Sequence, residues 1–120
     1  MKRAVATFSF MNRLPELTTQ NFDHEVLEAA LPILVDFTAP WCAPCRALTP
    51  ILHALATEGA DRLRVATVDG DAYPDIAARF RVKAFPTVIA FHRGKEIGRQ
   101  VGLASKERLA KLLASSVAAT

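Results

Sequence analysis

The run Ile33-Leu34-Val35-Asp36-Phe37, closed off by Pro32 and Pro40, limits what this chain can become more than any other segment. It is apolar without alternation and carries a single acid, so it reads as a strand buried on both faces. Such a strand needs neighbours on both edges and a layer of structure above and below it. Helical patterns stand on either side of it. Asn21 to Ala30 opens on a capping residue and sets Phe22, Val26, Leu27 and Ala30 on one face. A longer pattern runs from about Cys42 to Thr57 with Leu48, Ile51, Leu52 and Leu55 inward, and Pro50 predicts a kink.

Further strands are expected at Leu63 to Val68, ended by Asp69-Gly70-Asp71, and at Thr87 to Phe91. Between them Pro74 can start a short helix facing Ile76, Ala77 and Phe80 inward. Arg93-Gly94 predicts a tight turn into Glu96 to Val101, forming a β-hairpin. Ser105 then caps a last helix carrying Leu109, Leu112 and Leu113. Strands alternating with helices argue for a parallel sheet covered on both faces, and the terminal hairpin makes it mixed. An edge strand is placed near Leu14 to Leu17. The expected class is α/β, with three layers around a central mixed sheet of four or five strands.

With 120 residues the chain has about one domain's worth of length, and no repeat or linker divides it. About half the residues are apolar, enough for a core that needs no staples. The net charge of +3 is small and no run of five like charges occurs, which excludes a nucleic-acid tail. No apolar stretch approaches the roughly 20 residues of a membrane span. Met1-Lys2-Arg3 precedes a mildly apolar stretch to Met11, but Thr7 and Ser9 interrupt it and no Ala-x-Ala site follows. Residues 1–13 are therefore expected to form a loose or partly paired N-terminal arm ahead of a domain over 14–117, in a soluble cytoplasmic protein.

The two cysteines, Cys42 and Cys45, are three residues apart and would close almost no loop as a staple. Their placement favours chemistry. Cys42 follows a strand and opens a helix, where unpaired backbone N–H groups and the helix dipole favour a thiolate. Cys45 lies one turn deeper, so Cys42, exposed at the helix start, can attack a disulfide and Cys45 can resolve the mixed disulfide. A zinc half-site would need two more ligands, yet His24, His53 and His92 are scattered, so no metal is expected. A haem attachment would need His where Arg46 stands. Two inert buried cysteines are the remaining alternative.

From about Leu17 to Leu113 the chain resembles the thioredoxin family. The segment Leu34 to Arg46, with Trp41-Cys42-Ala43-Pro44-Cys45 in it, is similar to that family's active site. Phe85-Pro86-Thr87 resembles its cis-proline loop, Phe91-His92-Arg93-Gly94 its hairpin turn, Val101-Gly102 its glycine stretch, and Pro50 its helix kink. The resemblance implies a thioredoxin fold and a redox-active disulfide Cys42–Cys45, with no bound cofactor. It implies that Asp36 lies behind Cys45 and exchanges protons with it; burial should raise its pKa. It also implies that Pro86 is cis and packs on the cysteine pair, while the Phe85 backbone pairs with an extended substrate strand. Trp41, Pro40, Phe85 and Gly102 would form the apolar docking rim. An Asp that caps a turn and a Trp that fills the core are the plainer alternatives.

Oxidising relatives tend to carry His between the cysteines; Ala43-Pro44 is close to the Gly-Pro of reducing thioredoxins. A protein-disulfide reductase, monomeric and recharged by a thioredoxin reductase, is the leading expectation. A binding or chaperone module with dispensable thiols is the other, and the intact cysteines and Asp36 favour the enzyme. The sequence departs from the family's pattern at Thr38 (often Trp), Thr67 (often a buried Lys), Ala84 and Ala43 (often Gly).

Overall fold

A computed structural model describes residues 14–114; the expected arm over 1–13 and the last residues of the expected domain, 115–117, lie outside them. The elements in chain order are β1 (Glu16–Leu17), α1 (Asp23–Leu27), β2 (Ile33–Thr38), α2 (Ala43–Glu58) and β3 (Arg64–Asp69). There follow α3 (Pro74–Arg79), β4 (Thr87–His92), β5 (Lys95–Val101) and α4 (Lys106–Lys111). The five strands form one sheet in the order β1-β3-β2-β4-β5. β3 runs parallel to β1 and β2, whereas β4 is antiparallel to β2 and β5, so the sheet is mixed as expected.

Alternation along the strands divides the core into two layers. Val35 and Phe37 face α1 and α3, joining Phe22, Val26, Ile76 and Phe91. Leu34 faces the other way, joining Leu48, Leu52 and Leu55 of α2 and Leu109 of α4. β2 is buried on both faces from Ile33 to Phe37, the property read from its uninterrupted apolar run.

Local chemistry sets the ends of these elements. Asp69 Oδ1 accepts from the N–H groups of Asp71 and Ala72, which turns the chain out of β3. Arg93 and Gly94 take φ of 53° and 81°, the two left-handed residues of a two-residue hairpin. Ser105 Oγ accepts from Arg108 N at 3.1 Å and caps α4. α2 continues through Pro50, which cannot donate to the carbonyl of Arg46.

The first helix differs from its expectation. Instead of an α-helix over 21–30, α1 is five residues in π register, with Glu28 N donating to Asp23 O at 3.1 Å. The helix ends at Leu27, well before Leu31, the one residue that Pro32 keeps from helical backbone. Asn21 is not its cap. Asn21 Oδ1 accepts from Thr18 N at 2.8 Å while Thr18 Oγ1 accepts from Asn21 N at 3.3 Å, a reciprocal pair that fixes the chain's entry. The anchor of α1 is Phe22, 1% exposed, with its ring centroid 5.3 Å from that of Phe80 and 6.1 Å from that of Phe91. Truncating this ring leaves a cavity in the layer that packs α1 against the sheet. Phe22→Ala should cost about 3–5 kcal/mol in urea melts; a loss under about 1 kcal/mol would show that α1 is not anchored there.

Candidate active site

Cys42 is the residue that caps α2. Its Sγ accepts from Cys45 N at 3.2 Å, so a backbone N–H at the positive end of the helix points at this sulfur. Ala43 and Pro44 fill the first two helical positions, where a proline's missing N–H costs nothing. Cys45 follows one turn into the helix, and the two cysteines form a disulfide with Cα atoms 5.2 Å apart. One expectation needs correcting: Cys42 is only 3% exposed, not an open thiol. Ala39 and the Phe85 ring pack over the pair and cover it.

The rim residues come together around this cover. The Phe85–Pro86 peptide is cis, Pro86 is buried, and its carbonyl accepts from Gly102 N at 2.8 Å, which brings the two loops side by side. Gly102 has φ of 90°, a conformation that favours glycine. Trp41 is 65% exposed with its centroid 6.0 Å from that of Phe85, so it does not fill the core. Its Nε1 donates to Asp71 Oδ2 at 2.5 Å, which holds the indole against the surface. Pro40 is exposed beside it, and Val101 and Leu103 extend the apolar surface around Gly102. Gly70 lies beneath Phe85, whose ring takes the space a Cβ would need.

Asp36 is 3% exposed, and its Oδ1 is buried without a hydrogen-bond partner among the described residues. It caps no turn there. Burial pushes its carboxyl up to about 7, because the charged form loses its water without gaining a partner. It lines a cavity of about 290 Å³ with Thr38, Thr49, His53, Thr67 and Glu16. Thr49 Oγ1 donates to the Cys45 carbonyl at 3.3 Å, so the helical face that carries Cys45 also faces this cavity. Thr38 and Thr67, the two departures noted from the sequence, both line it.

Sequence reasoning missed Thr49, His53, Glu16 and Asp71. For His53 the signal is its eight-residue offset from Cys45, which puts both on one helical face. No such signal existed for Asp71, which meets Trp41 across thirty positions of chain. Among the described residues no group of three His, Cys, Asp or Glu could hold a metal ion, and no helix is long and apolar enough to cross a membrane.

The pH dependence of stability follows from Asp36. Its folded pKa lies above the unfolded value, so below about pH 4 the acid is neutral in both states and costs no ionisation energy. The cost grows as pH rises toward 7 and levels off above it, at on the order of 4 kcal/mol. Asp36→Asn should therefore melt at higher urea than the parent at pH 8, with the gap closing below about pH 4. A gap independent of pH would assign Asp36 an ordinary structural role.

The comparisons with known proteins agree with this geometry. The thioredoxin family profile matches residues 13–115. The chain is 37% identical over 97 residues to thioredoxin 1 of Synechococcus elongatus, covering 81% of this chain and 91% of that one. It is 39% identical over 101 residues to a thioredoxin of Acidithiobacillus ferridurans, covering 84% and 94%. A bifunctional thioredoxin reductase/thioredoxin of Mycobacterium leprae matches at 39% over 102 residues, which is 85% of this chain and 22% of that protein. With a cysteine pair capping α2 as the redox centre, the chain belongs to the thioredoxin family and is a dithiol–disulfide oxidoreductase.

Proposed function

We propose that this protein is a cytoplasmic reductant of protein disulfides, with residues 14–117 as its working domain. The observation that carries the reading is the Cys45 N–H aimed at Cys42 Sγ, with only Ala43 and Pro44 between the two sulfurs. Backbone charge there favours the Cys42 thiolate as attacker. No side-chain cation in the intervening dipeptide stabilises the reduced form further, which keeps the pair strongly reducing.

Cys42 attacks a substrate disulfide and forms a mixed disulfide. Cys45 then attacks Cys42 Sγ, closing the Cys42–Cys45 bond and releasing the substrate thiol. Asp36 takes the Cys45 proton, a task suited to a carboxyl held near neutrality. Trp41, Pro40, Phe85, Pro86 and Gly102 bind the substrate as an extended strand. The backbone of Phe85 supplies the hydrogen bonds and the rings supply the apolar contact. A thioredoxin reductase recharges the pair; the bifunctional Mycobacterium leprae relative, whose name joins the two activities, supports that partner. The protein acts in electron transport and cell redox homeostasis as a monomer, without nucleic acid or membrane. A chaperone role with dispensable thiols has no observation in its favour.

The potential should lie at roughly −250 to −290 mV, a range carried over from thioredoxins as a class. Equilibration with a glutathione buffer measures it, and a value above about −200 mV would move the protein to the isomerases or oxidases. In insulin reduction with dithiothreitol, either cysteine variant should abolish turnover. Cys45→Ser should accumulate mixed disulfides with substrate and Cys42→Ser should not; the opposite pattern would reverse the roles.

A further inference from the structure

Apart from Asp36, Thr87 is the only polar or charged side chain buried among the described residues, at 1% exposure. It opens β4, paired in register with Phe37 of β2 and with Val101 of β5, so its backbone is held from both sides. A buried hydroxyl needs an acceptor, and this one finds it outside the sheet. Thr87 Oγ1 donates to the Ala84 carbonyl at 2.7 Å, back across Phe85 and Pro86. The loop that carries two of the rim residues is thereby tied to the strand that follows it.

That tie sets the direction of the next peptide. The Ala84–Phe85 peptide is planar and trans, so the Phe85 N–H points opposite to the Ala84 carbonyl. With the carbonyl drawn toward the buried hydroxyl, the N–H is turned away from it. The Pro86 carbonyl is occupied by Gly102 N at 2.8 Å, and Pro86 has no N–H to offer. Neither the N–H nor the carbonyl of Phe85 has a hydrogen-bond partner among the described residues. One donor and one acceptor are left open on a single residue, the pair that a residue of an antiparallel strand exchanges with its neighbour.

We propose that Thr87 is a positioning residue for client binding, its hydroxyl holding the Phe85 backbone in the orientation that an extended strand can pair with. The inference rests on the reading that clients dock on the Phe85 backbone. Without the hydroxyl the Ala84 carbonyl loses its hydrogen bond, and the loop must be ordered during binding instead of beforehand. The client class this favours is a disulfide within an extended polypeptide, which brings backbone groups of its own. A small disulfide without a peptide backbone draws nothing from it. The hydroxyl bonds to the loop and to neither sulfur, so exchange at the sulfurs proceeds as before once a client is bound.

Stopped-flow oxidation of the reduced protein by increasing concentrations of a disulfide-bonded peptide gives a KM and a limiting rate. Hydroxyethyl disulfide, which has no peptide group, is the control. Thr87→Val keeps the branched side chain and removes the donor. It should raise the peptide KM about tenfold, the scale of one hydrogen bond, with the limiting rate and the control rate within about twofold of the parent. Thr87→Ser, which keeps the hydroxyl, should stay within about twofold of the parent on every measure. Urea melts check that both variants fold; if Thr87→Val does not, Thr87→Ala should show the same split. An unchanged peptide KM, an equal loss on both disulfides, or Thr87→Ser as impaired as Thr87→Val would overturn the assignment. Peptides N-methylated in turn at each residue flanking the cysteine separate the two readings. If none binds the parent more weakly, docking on the Phe85 backbone itself fails. If some do while Thr87→Val keeps the parental KM, only the role of Thr87 fails.

Discussion

The burial of β2 on both faces and both edges is the constraint on which the rest of the structure depends. β2 is hydrogen-bonded to β3 on one side and β4 on the other, with α1 and α3 packed beneath it and α2 and α4 above. A strand so enclosed has one direction in which to end, and the chain leaves it at Thr38 straight into the Pro40-Trp41-Cys42 turn. The start of α2, and with it the reactive sulfur, is thereby fixed to the most rigid element of the fold. The same enclosure holds Asp36 out of water. A site built on this strand inherits precision from the packing and perturbed chemistry from the burial.

Two groups a few residues apart meet opposite surroundings in that arrangement. Cys42 Sγ meets the Cys45 N–H, which welcomes negative charge, whereas the buried Asp36 Oδ1 meets no donor among the described residues. In the proposed mechanism these are the attacking sulfur and the base that serves Cys45. Neither property comes from an unusual side chain. Both come from where a helix begins and where a strand is covered.

The features that were legible in the sequence are those decided locally. The apolar run of β2, the Ser105 cap, the Arg93-Gly94 turn and the cysteine spacing each depend on a few adjacent residues, and each stands where the sequence placed it. The π register of α1 was not legible, because the segment is held by tertiary contacts of Phe22 with Phe80 and Phe91, nearly sixty and seventy residues away, rather than by its own periodicity. The near-burial of Cys42 was missed for a related reason: its cover is the Phe85 ring, supplied from more than forty residues away. The cavity at Asp36 is assembled from β1, β2, β3 and α2, so no window of sequence contains it. Only the identity of Thr38 and Thr67 hinted that something large was missing there.

Gly70 has a reach that its position does not suggest. It sits in the turn after β3, contributes no chemistry, and donates its N–H to Thr38 O at 2.8 Å. Its lack of a side chain leaves room for the Phe85 ring that packs against the cysteine pair. Any larger residue there would displace that ring from its place against the cysteine pair and leave both sulfurs untouched. The exposure of the redox centre is thus set from underneath the site, by a residue that carries no side chain, rather than from within it.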